Sequence, residues 1–287
     1  MTTTHNCLVS GAALQEHLGA WAVVDCRFDL QRENWGFDQY LEAHIPSAVY
    51  ASLARELAGT PTGSNGRHPL PSIDAMAETF GRLGIDRSTQ VVAYDQDAGM
   101  YASRLWWMLR YLGHSAVAVL DGGWARWRSE GRPTQSGAER RAATRFVAQP
   151  RPEMLASAAD VEAVRQRRSD LLVDARAPER FEGRSEPIDR VAGHIPGAVN
   201  HFYKTNVMPE GEMLPPAVLR QGFERLLQSR TPDRAVMYCG SGVTACHNLL
   251  AMEHAGLPGA RLYVGSWSEW SSDPARPVAT GPDPGRP

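Results

Sequence analysis

Two tandem α/β domains, each with a central parallel sheet flanked by helices, are what the sequence predicts, and three observations predict it. The chain has 287 residues, enough for two domains of about 150 residues each. It repeats itself once: five segments of the first half return in the same order in the second, offset by 143 to 150 residues. Within each half, short apolar runs alternate with helical stretches, the signature of strands feeding crossover helices into a parallel sheet.

The repeated segments are specific. Leu8-Val-Ser-Gly-Ala is echoed by Leu155-Ala-Ser-Ala-Ala, and Val23-Val-Asp-Cys-Arg27 by Leu172-Val-Asp-Ala-Arg176. Ala43-His-Ile-Pro-Ser-Ala48 returns as Gly193-His-Ile-Pro-Gly-Ala198, and Val91-Val-Ala-Tyr-Asp95 as Ala235-Val-Met-Tyr-Cys239. Leu120-Asp-Gly-Gly-Trp-Ala-Arg-Trp127 matches Tyr263-Val-Gly-Ser-Trp-Ser-Glu-Trp270. A period this long is a duplicated domain rather than a solenoid. The pairs Ala22 to Val24 and Leu171 to Val173, Val91 to Tyr94 and Ala235 to Tyr238, and Ala116 to Leu120 and Arg261 to Val264 read as buried strands. Helices are expected from Ile73 to Leu83 and from Ala217 to Leu227, each entered through proline. Residues 131 to 152 are rich in Arg, Ala, Gly and Pro and read as a linker wrapped over the surface. The proline-rich end from Ser271 is expected to fray.

Composition narrows the function. Thirty basic and 32 acidic side chains leave a formal charge of −2, so there is no polycationic face for nucleic acid. Lys204 is the only lysine, which excludes a Walker-type phosphate lysine and, elsewhere in the chain, a Schiff-base lysine. No 18-residue apolar stretch predicts a membrane span. Four cysteines without a C-x-x-C pair are too sparse for a secreted disulfide scaffold. With no leader-like N-terminus, a cytoplasmic location is expected.

The segment carrying chemistry is Val236-Met-Tyr-Cys239-Gly-Ser-Gly-Val-Thr-Ala245. An apolar strand ends at Cys239, a small-residue loop follows, and a helical pattern runs to Gly256. Ligands of parallel α/β sheets collect at the carboxyl ends of strands beside helix N-termini. A thiol there meets the helix dipole and inward-pointing amides, which favour the thiolate. Gly240 and Gly242 let the backbone curl around the sulfur. Isolated cysteines are more often inert, and Cys26 and Cys246 are read that way. Cys239, Cys246 and His247 lack a fourth ligand and a suitable spacing, so no metal is expected.

The Cys-Gly-Ser-Gly-Val-Thr loop, the two His-Ile-Pro-x-Ala segments, the Asp-x-Arg strand ends and Trp-Ser-Glu-Trp together resemble the tandem rhodanese sulfurtransferases over residues 8 to 270. The resemblance implies a non-catalytic rhodanese-like domain at 1–135, a linker at 136–152 and a catalytic domain at 153–287, because Asp95 stands where the second half has Cys239. It implies sulfur transfer through a Cys239 persulfide, without a cofactor. The neutral Gly240 and Ser241 match the 3-mercaptopyruvate subclass, whereas thiosulfate sulfurtransferases carry Arg-Lys there. A C-x5-R phosphatase is excluded because Ala245 stands at the arginine position. The alternatives are a thiosulfate:cyanide sulfurtransferase and a persulfide carrier for a protein partner. Expected partners are a small-molecule sulfur donor and a thiol, thioredoxin-like or cyanide acceptor.

The resemblance also assigns residues. Cys239 is the nucleophile, and Gly240, Gly242, Val243 and Thr244 belong to the binding loop. Ser241 works with a histidine of the first domain, taken as His44, oriented by Asp38 or Glu33. Arg180 binds the donor carboxylate. A second arginine normally follows in Glu-Pro-x-Arg or Glu-Pro-Arg; here the chain reads Glu186-Pro-Ile-Asp-Arg190, so Arg190 or Arg184 is expected to supply it. Arg67-His68-Pro-Leu-Pro lies on a loop that can rim the cleft and is given no catalytic part.

Overall fold

The computed structural model describes residues 4–167 and 169–285. They form two compact units. The first runs to Gly59, resumes over Leu70–Arg151 and includes Val207–Met213; the second comprises Thr60–Pro69, Pro152–Asn206 and the chain from Leu214 onward. Each half of the sequence thus lends a short segment to the other unit. A single cut between the halves, as the sequence implies, misses both exchanges. Residues 138–151 lie with the first unit, tied there by the Thr144 amide to Gly81 and the Gln149 amide to Leu112.

In the first unit the order is β1 (Leu8–Val9), α1 (Gly11–Glu16), β2 (Ala22–Asp25), α2 (Trp35–Glu42), β3 (Val49–Tyr50), α3 (Ile73–Arg82), β4 (Val91–Tyr94), α4 (Ala102–Tyr111), β5 (Val117–Leu120) and α5 (Gly123–Ser129). The second repeats it with β6 (Leu155–Ala156), α6 (Ala158–Arg165), β7 (Leu171–Asp174), α7 (Pro178–Phe181), β8 (Ala198–Asn200), α8 (Pro216–Leu227), β9 (Ala235–Tyr238), α9 (Thr244–His254), β10 (Arg261–Tyr263) and α10 (Ser266–Trp270). The sheets are β1-β5-β4-β2-β3 and β6-β10-β9-β7-β8, parallel throughout. The expected central strands are all present. The edge strands are only two or three residues long, too short for a hydrophobic period to announce them.

Every residue of β2, β4, β5, β7 and β9 is buried, because helices cover both faces of a parallel sheet. Ser10 and Ser157, equivalent in the repeat, cap α1 and α6 through their hydroxyls, satisfying amides the helix itself leaves unpaired. The repeated Asp-x-Arg is a buried strut in both units. Arg27 forks onto Asp25 and reaches the Ala43 carbonyl; Arg176 forks onto Asp174 and reaches the Gly193 carbonyl. Each guanidinium lies over a tryptophan, Trp124 or Trp267, at 4.6 and 4.8 Å.

The expectation of a frayed end is corrected. The chain after α10 returns across the second unit: His194 and Ala279 exchange both backbone hydrogen bonds, Gly281 donates to the Glu182 carbonyl, and Trp270 donates to the Pro277 carbonyl. Proline richness removed helical and strand periodicity there without removing the docking groups. The first unit has the same device, with His44 and Gln135 exchanging backbone bonds and Trp127 donating to the Pro133 carbonyl.

Candidate active site

Strand β9 delivers Cys239 to its carboxyl end, where 2% of the residue is exposed. The loop is fastened by α10. The Trp267 and Ser268 amides donate to the Cys239 and Gly240 carbonyls, and the Cys239 amide donates to Ser266 Oγ at 3.1 Å. Ser266 does this from the left-handed region, at φ 54°, with its own hydroxyl donating to the Tyr263 carbonyl. A non-glycine residue in that conformation is uncommon, and here it aims a hydroxyl at the cysteine backbone. Gly242 sits at φ +72°, and a Cβ there would lie 2.4 Å from the Val264 carbonyl oxygen. Only glycine fits.

Helix α9 begins at Thr244 without a side-chain cap from Val243. The first amides of a helix have no intrahelical acceptor and carry its positive end. What such an end attracts is visible in the first unit. There Asp95, at the position of Cys239, folds its carboxylate back onto four amides: Asp97, Gly99, Tyr101 and Ala102, at 2.6 to 3.1 Å. Burial raises the Asp95 carboxyl above its ordinary range, with the four amides opposing. The loop architecture therefore turns its amides onto a carboxylate in the first copy, and Cys239 holds the same position in the second.

Within the second unit, the loop residues Cys239, Gly240, Ser241, Gly242, Val243 and Thr244 come together as expected. Ser241 is 6% exposed, and its hydroxyl lies 2.8 Å from His68 Nδ1. The histidine at Ser241 is thus His68, and the expectation of His44 is corrected. His44 is fully buried in the first unit, with Nδ1 on the Tyr40 carbonyl and its ring stacked on Tyr40. His194 repeats this with Phe181, so the histidine of His-Ile-Pro is a packing residue in both copies. Neither Asp38 nor Glu33 serves it: Nδ1 lies on a carbonyl, Nε2 has no hydrogen-bond partner among the described residues, and exposed Glu33 faces Arg55. The two histidine motifs look equally suggestive as text. The usable signal was that Arg67-His68 has no echo in the second half.

Arg180, on α7, stands beside the loop. Its fork takes Glu186, with Nη2 also 3.2 Å from Asp189. The second guanidinium here is Arg67, paired with Asp189. A Cβ on Gly240 would lie 2.9 Å from Arg67 Nη2 and 3.5 Å from both terminal nitrogens of Arg180. Arg190, expected to supply this second cation, is exposed instead, and Arg184 pairs with Glu182 and Glu179. The turn at Glu186-Pro-Ile-Asp directs Asp189 inward and leaves its neighbours outside. Burial works against charge on Glu186, yet Arg180 and the Asp189 and Ile188 amides hold its carboxyl below the ordinary range. Burial pushes the Asp189 carboxyl up, with Glu186 adding and Arg67 and Arg180 opposing.

Cys246 and Cys26 are the other buried thiols among the described residues. Cys246 is buried with its Sγ donating to the Gly242 carbonyl. Burial, with Asp25 and Asp95 nearby, raises the Cys26 thiol well above its ordinary range. Among the described residues there is no cluster of three His, Cys, Asp or Glu side chains suited to a metal ion, and no helix long and apolar enough to cross a membrane.

The family profile of the rhodanese-like domain matches residues 10–130 and again 157–273. A probable 3-mercaptopyruvate sulfurtransferase of Pseudomonas aeruginosa is 47% identical over 261 residues, covering 90% of this chain and 92% of that protein. A putative thiosulfate sulfurtransferase of Mycobacterium tuberculosis is 38% identical over 270 residues, 91% of each. The solved structure of the 3-mercaptopyruvate sulfurtransferase from Leishmania major aligns with a TM-score of 0.82 at 30% identity, covering 93% of this chain and 74% of that one.

Proposed function

The chain belongs to the rhodanese family, with one rhodanese-like domain in each half, and from that premise we propose that it is a sulfurtransferase moving sulfur from 3-mercaptopyruvate through a persulfide on Cys239. The thiolate of Cys239 attacks the donor sulfur. The donor C–S bond breaks, its electron pair leaves with carbon as pyruvate enolate, and an Enz–S–SH persulfide remains. A proton delivered to the enolate gives pyruvate. A thiol, a thioredoxin-like dithiol or cyanide then attacks the outer sulfur, and Cys239 leaves as the thiolate, a two-step covalent cycle. A reducing, cytoplasmic setting would supply such thiols. The first unit takes no sulfur, since Asp95 holds its cysteine position.

The observation that carries this reading is the Ser241–His68 pair, 2.8 Å apart, beside a cysteine whose loop has no charged side chain. A hydroxyl that both donates and accepts, backed by an imidazole, suits proton delivery to an enolate. Thiosulfate has no carbon leaving group to protonate, and its second charge lacks the loop cations that would welcome it. The mycobacterial relative keeps thiosulfate as the second reading. Steady-state turnover with each donor and cyanide as acceptor separates them. The expected result is a higher kcat/KM for 3-mercaptopyruvate, with Cys239→Ser inactive and Cys246→Ser largely active. Better turnover of thiosulfate would overturn the donor assignment. An active Cys239→Ser enzyme would overturn the mechanism. Activity with neither small donor, alongside a Cys239 adduct one sulfur heavier from a protein donor, would favour a carrier.

A further inference from the structure

We propose that Asp189 is an internal carboxylate occupying the subsite where the donor carboxylate binds, and that the donor gains Arg67 and Arg180 only by displacing it. This rests on the donor reading above and adds to it a competitor built into the chain. Two guanidiniums, Arg67 from the exchanged 60–69 segment and Arg180 from α7, converge on the Asp189 carboxylate. Both also reach the space over Gly240, next to the nucleophile. Two guanidiniums, each placing one nitrogen on a different oxygen of the same carboxylate, make a charge-assisted clamp that a free carboxylate can also occupy. Here the chain fills it.

The neighbouring carboxylates show which one can move. Glu186 is anchored on both oxygens, by Arg176, by the Arg180 fork, and by the Ile188 and Asp189 amides. Asp174 is locked in the Arg176 strut. Among the described residues Asp189 is ion-paired with Arg67 and Arg180, and it sits between exposed Ile188 and exposed Arg190. A rotation of its side chain moves the carboxylate toward solvent without disturbing the turn.

The charge balance gives the device a purpose. Arg67, Arg176 and Arg180 face Asp174, Glu186 and Asp189, three of each sign. Exchange of Asp189 for one donor carboxylate conserves that balance. A dianion leaves it one charge too negative. Asp189 thus lowers affinity for every anion and selects for a single carboxylate, which adds an exclusion to the attractive contacts.

The test compares wild type, Asp189→Asn and Arg67→Gln for equilibrium binding of pyruvate by calorimetry and for KM and kcat with both donors. Asp189→Asn is expected to bind pyruvate roughly tenfold more tightly, an ordinary size for one charge coupling. Its KM for 3-mercaptopyruvate falls while kcat holds, and its kcat/KM for thiosulfate rises further still. Arg67→Gln binds pyruvate more weakly. A merely structural Asp189 predicts unchanged or weaker pyruvate binding in Asp189→Asn, and that result overturns the proposal. If Asp189→Asn does not fold, Arg67→Gln decides: pyruvate affinity equal to wild type refutes the shared subsite. A wild type that turns over neither donor defeats the donor reading instead, and the order of pyruvate affinities still judges Asp189.

Discussion

Ser241 and His68 are 173 residues apart in sequence and 2.8 Å apart in the second unit. His44 and His194, by contrast, each sit under an aromatic ring with Nδ1 on a carbonyl. The contrast sorts the histidines by measurement. His68→Ala should lower kcat by roughly a hundredfold or more, the usual worth of a positioned acid or base, with an unchanged melting temperature. His44→Ala should do the opposite, destabilising by about 2 kcal/mol through a buried cavity while the folded fraction keeps its kcat. Reversal of the two phenotypes would restore His44 to the active site. Cys239 was legible in the sequence because a strand, a glycine loop and a helix follow one another without interruption. Arg67 and His68 were not, because their partners lie more than a hundred residues away and no local period encodes such a meeting. Arg190 was misread for a related reason: the motif counts positions, and only the turn decides which of two neighbours faces inward.

The Cys239 loop depends on two glycines for different physical reasons, and the difference is testable. At Gly242 the left-handed backbone and the Val264 carbonyl both reject a Cβ, so Gly242→Ala should cost about 2 kcal/mol or more in stability, read from denaturant midpoints. At Gly240 the nearest atoms to a methyl group are the guanidinium ends of Arg67 and Arg180, not backbone. Gly240→Ala should therefore fold with near wild-type stability and show its effect as a raised donor KM. Equal destabilisation by both substitutions would mean that the loop is rigid throughout. The central strands and their helices were readable in sequence because continuous apolar runs and entry prolines mark them. The docked segments after α5 and α10 were not, although they repeat each other. Arg132 lies over Trp127 and Arg276 over Trp270, at 5.5 and 5.3 Å, and each following proline accepts a bond from the indole beneath. Such pairings use a cation, a ring and a carbonyl, and leave no hydrophobic pattern.

At the scale of the whole molecule, the duplication separates what serves the fold from what differs between the copies. Asp-x-Arg struts, His-Ile-Pro turns and tryptophan caps occur in both units and serve the fold in both. The copies diverge at Asp95 and Cys239: in the first unit the carboxylate takes the loop amides of Asp97, Gly99, Tyr101 and Ala102, and in the second a thiol stands at that position. Each half also contributes a segment to the other's unit, Thr60–Pro69 in one direction and Val207–Met213 in the other. That exchange sets a timetable. The second unit holds bonds joining Arg67 to Ser268 and His68 to Ser241, so on a chain made from its N-terminus a segment synthesised early waits for partners made near the end. Contacts of such long sequence separation form late, because loop closure must be met before they reward it. Refolding from denaturant should therefore restore the far-ultraviolet helix signal before sulfur-transfer activity, and coincident recovery would argue against this order. A newly made chain would carry Cys239 and much of its fold for a time before Ser241 meets His68.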